Sequence, residues 1–331
     1  MQTRVTIIGL GCVGSSIGLA LRRQSPSLEV MGHDKDPEIA RRAAQKGAVT
    51  RIHWNLPAAC ERASLIVLAL PLPAVRETME ALGPYLEEGC VVTDTAPLKV
   101  PVLQWASQYL PPRVHFITGF PIPGPKVDLR DPLQGPEAAR ADLFEGGFYC
   151  VTPAPDTASE AVSALLGLAD VLKARPLFLD PVENDGLQAG AMGLPQLVAL
   201  ALLRTLVDAP GWADMRKIVG YDFASLTGPL QAGTASTWSA GALLNRENLI
   251  QRLDMFLEEL HRLREWILEE NREAVEKAYA QAAAWRNQWL QERAQGMPEV
   301  GERPAELPTM GEQMSQIFFG GLFRRRPPRK E

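Results

Sequence analysis

A doubly wound parallel α/β sheet followed by an all-helical region is the fold class this 331-residue chain predicts. Three observations carry the expectation. Short runs rich in Val, Ile and Leu alternate with helical patterns through the first half. A Gly-rich segment, Gly9-Leu10-Gly11-Cys12-Val13-Gly14, separates the first run from the first helix. After Pro181 the strand signal disappears and Ala/Leu-rich helical stretches replace it.

Taken in order, residues 5–9, 28–34, 65–70, 91–94, 115–119 and 149–152 read as buried strands of a parallel sheet covered on both sides. Residues 16–23 and 37–46 read as covering helices, and a last strand at 177–179 closes this unit near Pro181. Residues 187–207 are apolar around most of a helical circumference, as in a helix buried inside an all-α domain. From Leu249, apolar residues fall at 249, 253, 256, 260, 263 and 267, the heptad seam of helices packed side by side. Such a seam serves either the chain's own core or a second subunit, and a homodimer joined through the helical half is the expectation. Residues 296–308 read as a Pro- and Glu-rich linker. Ile317, Phe318, Phe319, Leu322 and Phe323 then precede a basic end, either a contact for an anionic partner or an arm packing on a neighbouring subunit. The domains expected are 1–181 for the sheet, 182–295 for the helices and 296–331 for the linker and arm.

Apolar residues at 46% and charged residues at 22% exclude a disordered chain, a collagen-like repeat and a coiled-coil rod. At roughly 150 residues per domain the length suggests about two domains. The net charge of −5 argues against general nucleic-acid binding, although the last eight residues carry five basic side chains and one acid. Cys12, Cys60, Cys90 and Cys150 show no CxxC or zinc-like spacing, so reduced thiols in a cytoplasm are expected and no metal site. No apolar run approaches the ~20 residues of a membrane span, and the first residues do not read as a signal peptide.

The Gly-rich segment is a GxGxxG placed directly after a strand and at the opening of a helix. There, amide groups and the helix dipole hold a pyrophosphate. Gly9 permits the tight turn, Gly11 lets phosphates approach the backbone, and Gly14 lets helix and strand pack closely. Leu10, Cys12 and Val13 complete the loop. The second strand ends at Asp34, whose carboxylate accepts from both ribose hydroxyls of NAD and repels a 2′-phosphate. Lys35, Arg41 and Arg42 keep NADP open as a second possibility. Leu70 and Pro71 end one strand as apolar walls beside the coenzyme. Asp94 ends the next, either as a coenzyme contact or as a turn cap.

On these residues the chain resembles the prephenate and arogenate dehydrogenases of tyrosine biosynthesis, from Val5 to about Ile267. The most specific stretch is Gly135-Pro136-Glu137-Ala138-Ala139-Arg140-Ala141-Asp142-Leu143-Phe144-Glu145-Gly146, followed by a helix entry from Trp238 to Asn245. The resemblance implies a Rossmann domain, an all-helical dimerisation domain, and NAD-linked oxidative decarboxylation of a cyclohexadienol held near the nicotinamide.

The departures from the family pattern cluster on its chemistry. In Gly119-Phe120-Pro121-Ile122-Pro123-Gly124 the position of the family's proton-accepting histidine holds Phe120. In Asp94-Thr95-Ala96-Pro97-Leu98-Lys99 the serine position holds Pro97. Glu183-Asn184-Asp185 and Met192-Gly193-Leu194-Pro195-Gln196 place Asn184 and Gln196 where the family has histidines. The stretch from Tyr221 to Trp238, where the family has a carboxylate-binding arginine, contains no Lys or Arg, and residues 126–134 look like an insertion. Losing a positioned general base costs about 10²–10⁴ in rate. His115, Lys99, Lys126 and Arg130 are the remaining ionisable candidates, each with an ordinary structural or solvated alternative, and Asp185 reads as catalytic or as a cap. No residue is singled out as catalytic. The reading is a dehydrogenase of this type with a remodelled, His-less site and an altered substrate. The alternatives are a catalytically inactive dinucleotide-binding sensor and an assembly protein stabilised by NAD.

Overall fold

A computed structural model describes residues 4–130 and 133–297. Eight strands form one sheet: β1 (Arg4–Ile8), β2 (Glu29–His33), β3 (Arg51–Ile52), β4 (Leu65–Leu68), β5 (Val91–Asp94), β6 (His115–Pro121), β7 (Phe148–Thr152) and β8 (Arg175–Phe178). Their spatial order is β3-β2-β1-β4-β5-β6-β7-β8. The sheet switches direction of growth between β1 and β4, which opens a crevice at the carboxyl ends of these strands. On one face lie α1 (Cys12–Gln24), α2 (Pro37–Gln45) and, later in the chain, a helix at Ser159–Val171. The opposite face carries α3 (Leu56–Cys60), α4 (Leu72–Leu82) and α5 (Val100–Tyr109); the Ser159–Val171 helix is α6. Two apolar clusters result. Ile7, Ile17, Ala43 and Leu165 belong to one; Ile66, Val75, Met79 and Val102 belong to the other.

Two features differ from the sequence expectation. The two-residue β3 was not anticipated, being too short for any apolar alternation. The sheet is not wholly parallel, since β7 runs antiparallel to β6, with Pro121 opposite Tyr149 and Thr118 opposite Thr152, and β8 follows β7. The connection between β6 and β7 therefore leaves and re-enters at the same edge of the sheet.

The helical region begins at Pro181, with Asp180 accepting from the Val182 and Glu183 amides. It comprises α7 (Pro181–Gln188), a π-helical turn (Ala189–Gly193), α8 (Leu194–Val207), α9 (Trp212–Ile218), α10 (Tyr221–Thr227), α11 (Ala235–Leu244), α12 (Arg246–Leu268) and α13 (Arg272–Gln295). The continuous 27 residues Pro181–Val207 are long and apolar enough to cross a membrane by length and composition alone, which the search for apolar runs overlooked because α7 is polar. The expectation of a buried helix at 187–207 is also corrected. Only Ala199 of α8 is buried, and Leu200 and Val207 are exposed, because no other segment among the described residues covers them. The α12 seam is likewise open: Leu249 is buried, whereas Leu260 and Ile267 are exposed.

The two regions are tied together at the far end as well. The Arg293 guanidinium near the end of α13 donates to the carbonyls of Gly124, Pro125 and Val127, and Arg175 donates to the Met297 carbonyl. Gln134 donates to the Gln231 carbonyl, joining the β6–β7 connection to the helices. The basic arm and nearly all of the linker expected before it lie outside the described residues.

Candidate functional site

The Gly-rich turn connects β1 to α1. Gly9 has φ +90°, a left-handed conformation that glycine adopts without strain, and its amide donates to the His33 carbonyl at 2.9 Å. A Cβ on Gly14 would lie 1.9 Å from the Gly9 carbonyl oxygen, so only glycine lets α1 start this close to the turn. A Cβ on Gly11 would meet no protein atom within 4 Å. The space above Gly11 is therefore free, at a helix N-terminus with no capping side chain and no acid in its first turn. Such an end is completed by an anion. Leu10 and Cys12 are buried in the core, so this part of the loop presents backbone to a ligand, with half-buried Val13 beside it.

Asp34 follows β2 and fastens the same turn. One carboxylate oxygen accepts from the Leu10 amide at 2.7 Å and the other from the Asp36 amide at 2.9 Å. Each oxygen keeps lone-pair capacity for a further hydroxyl donor. Of the nearby cations, Arg41 pairs with Glu38 and Arg42 with Glu137. Leu70 abuts the turn, and with Pro71 it borders a cavity that continues into the helical region.

Asp94 does not join this group. It is fully buried and accepts from the Ala96 amide at 2.7 Å, the Lys99 ammonium at 3.2 Å and the Thr118 hydroxyl. It is a turn cap and a counter-ion, the second of the two roles expected of it. Lys99, expected on a solvated loop, is fully buried too. Its ammonium donates to the carbonyls of Ala96 (2.6 Å) and Gly119 (2.7 Å). Burial pushes the Lys99 pKa down against the pull of Asp94. The Asp185 carboxylate reaches across from α7 and accepts from the Lys99 and Val100 amides at 2.6 and 3.0 Å, capping α5. Burial raises the Asp185 pKa, opposed by these amides and by Asn184. The Asn184 amide donates to the Pro97 carbonyl at 2.8 Å, while its own oxygen is buried without a partner.

The cavity has a volume of about 540 Å³ and is walled by the β4–α4 turn, Pro97-Leu98, and helices α7, α8, α11 and α12. Among the described residues, no Asp, Glu, Lys, Arg or His lines it. Pro97 and Gln196 border it; Asn184 lies one layer behind, and neither Phe120 on β6 nor His115 is part of its wall. Lys126 sits exposed near Glu145, and Arg130 pairs with Asp128, also away from the wall. Among the described residues, no group of three or more His, Cys, Asp and Glu is placed to hold a metal ion.

Residues 17–177 match the family model for the prephenate dehydrogenase nucleotide-binding domain. Over 289 residues the chain is 25% identical to the prephenate dehydrogenase of Bacillus subtilis (strain 168), covering 87% of this chain and 76% of that protein. Over 276 residues it is 27% identical to the prephenate dehydrogenase of Lactococcus lactis, covering 82% of this chain and 73% of that protein. Over most of its length the chain is therefore similar to prephenate dehydrogenases, and just under half of it matches their nucleotide-binding domain. The likeness of fold extends beyond the nucleotide-binding domain of that family into the helices. A crystal structure of Aquifex aeolicus prephenate dehydrogenase in complex with hydroxyphenyl propionate and NAD⁺ superposes with a TM-score of 0.77 at 23% identity, over 87% of this chain and 98% of that one.

Three features of this site are not legible in the sequence alone. The buried Lys99–Asp94 pair was hidden because lysine in a loop ordinarily reads as solvated. Trp238 was noted only as a helix entry, yet it walls the cavity. Gln188 was not noticed, although the four-residue spacing of Gln188, Met192 and Gln196 is a helical-face signal, and all three border the cavity.

Proposed function

We propose that the chain is an NAD-dependent oxidoreductase of the prephenate dehydrogenase type whose substrate is not prephenate. The observation that carries this reading is the cavity continuous with the Leu70–Pro71 wall, which has no ionisable side chain among the described residues that line it. The coenzyme fits the residues present: Gly9, Leu10, Gly11, Cys12, Val13 and Gly14 leave open space at an uncapped helix start, and Asp34 offers a carboxylate for the ribose. When bound, NAD supplies a hydride acceptor. The Asp34 carboxylate favours NAD over NADP; Arg41 and Arg42 already pair with Glu38 and Glu137, while the exposed Lys35 keeps NADP as the second coenzyme to test.

Residues of this chain hold the coenzyme and line the neighbouring cavity with apolar side chains. With Pro97 and Gln196 at the wall, Phe120 off it and Asn184 behind it, the family's proton acceptor and carboxylate partners have no ionisable equivalent there. Prephenate, a dianion that must lose a hydroxyl proton, is poorly matched to such a site. Residues 1–181 form the coenzyme domain in this reading and 182–295 the substrate and dimerisation domain, with the exposed α12 seam as the homodimer contact. Four free, buried thiols suit a cytoplasmic setting.

A second reading, a catalytically inactive dinucleotide-binding protein, is favoured by the same lack of a proton acceptor. One assay separates the two. Absorbance of reduced coenzyme is followed with prephenate, arogenate and a panel of neutral cyclic alcohols, alongside thermal shifts with NAD and NADP. Turnover of a neutral alcohol but not of prephenate is expected. Stabilisation by NAD with no turnover across the panel selects the inactive reading, and no stabilisation by either coenzyme removes both.

A further inference from the structure

We infer that the cavity between the sheet edge and helices α7, α8, α11 and α12 binds an uncharged, largely apolar ring compound, oriented by the side-chain amides of Gln188 and Gln196. This rests on the reading of that cavity as the substrate site and names the class of substrate.

Three observations converge. The wall is built of side chains such as Leu70, Pro97, Met192, Leu197, Trp238 and Leu249, and the described residues that line it carry no charge of either sign. A carboxylate moved into such surroundings loses its hydration without gaining a partner, whereas a neutral ring gains apolar contact. At about 540 Å³ the volume lies within the range of small-molecule sites.

The second observation is polar. Gln188 is 9% exposed and borders the cavity, and its amide makes no hydrogen bond within the described protein; the Gln196 amide makes none either. Other polar groups on the wall are already engaged: Asn245 donates to the Asp185 carbonyl and Ser239 to Ser236. Gln188 is buried and Gln196 half-buried, and with no protein partner among the described residues these two amides are free to take a ligand's hydroxyl or carbonyl group.

The third is the π-helical turn Ala189–Gly193 lying between them. Two α-helical turns take about 7.2 residues, so positions eight apart drift around an α-helix. The wider turn takes up the surplus and keeps both glutamines on the cavity side. Such π-bulges concentrate at functional sites.

The test is calorimetric titration of the full-length protein, saturated with NAD, with two probes sharing one ring: 4-propylphenol, which is neutral, and hydroxyphenyl propionate, which carries a carboxylate. The neutral phenol is expected to bind at least ten-fold more tightly. Gln196→Met, which preserves helix propensity and length, is expected to weaken 4-propylphenol about ten-fold and leave propylbenzene, which lacks the hydroxyl, unchanged. A merely structural glutamine would move both ligands together. Ala242→Phe, which fills the cavity, is expected to abolish binding of either. Equal or tighter binding of the carboxylate overturns the inference. So does the absence of phenol binding, the result expected if a second copy of the chain occupies this space. Failure here is read from calorimetry alone; failure of the dehydrogenase reading is read from the NAD thermal shift and the reduced-coenzyme assay.

Discussion

A single methyl group separates the roles of Gly11 and Gly14. Gly14→Ala places a Cβ 1.9 Å from the Gly9 carbonyl oxygen and must displace backbone, whereas Gly11→Ala meets no protein atom. Gly11→Ala should therefore keep the melting temperature of the parent and weaken NAD at least ten-fold, about 1.4 kcal/mol, in thermal-shift titrations. An unchanged NAD response would remove Gly11 from the phosphate site. At Lys99, replacement by Met leaves Asp94 buried and unpaired, with an expected loss of about 3–5 kcal/mol in urea denaturation. Adding Asp94→Asn should recover part of that loss; strict additivity would mean the pair is not coupled. The thiols give the pH dependence. Burial pushes Cys60 and Cys90 from the ordinary 9.0 up to about 12, and Cys150 up to about 11. The unfolded chain thus releases these protons near pH 9 while the folded one retains them. Their contribution to stability is complete below that pH and is lost as pH rises toward 12. The melting temperature should fall across this alkaline range, more shallowly in Cys60→Ala/Cys90→Ala, and a steep fall unchanged by that variant would refute the assignment. The Gly turn and Asp34 were legible because their spacing carries its own geometry. Lys99 was not, since nothing in its neighbours reveals that three elements close over it.

Elements depend on one another in ways that local sequence does not display. Helix α5 begins without a capping side chain of its own. Its first amides are satisfied by Asp185 of α7, a residue 86 positions away from Lys99. Asp185→Ala should cost about 1–2 kcal/mol, as other lost caps do, and Asp185→Asn less, because the amide oxygen still accepts. Chemical denaturation of both variants measures the difference; equal stability of variant and parent would show that water replaces the cap. The retained Asp185 was visible in the sequence, but its partner was not. Strand positions were legible from their apolar runs to within a few residues. Strand direction was not, because a buried run of Val and Ile reads alike in either orientation, and β7 is reversed. The two-residue β3 offers too little pattern to detect.

At the scale of the whole molecule, many of the exposed large apolar side chains among the described residues lie on the helices after Pro181. Leu260 is 44% exposed and Ile267 68%, both on the regular seam of α12. If that seam joins two copies, Leu260→Arg/Ile267→Arg should sediment as a monomer with unchanged helical circular dichroism, while the parent sediments as a dimer. A parent that is monomeric at micromolar concentration would exclude the contact. The seam was readable from its alternating spacing of four and three. The cavity was not, because its wall draws on residues from Leu70 to Leu249 that only the fold brings together. The reversal of β7 has one more effect. Residues 122–147 depart from and return to a single rim, the one where ligands gather, so this excursion can lengthen or shorten without shifting any strand. Doubling such a loop adds only about 0.6 kcal/mol of closure entropy. Gln134 of this excursion reaches Gln231 beside the cavity wall, so a change of loop here can alter the cavity's surroundings while the coenzyme platform stays still.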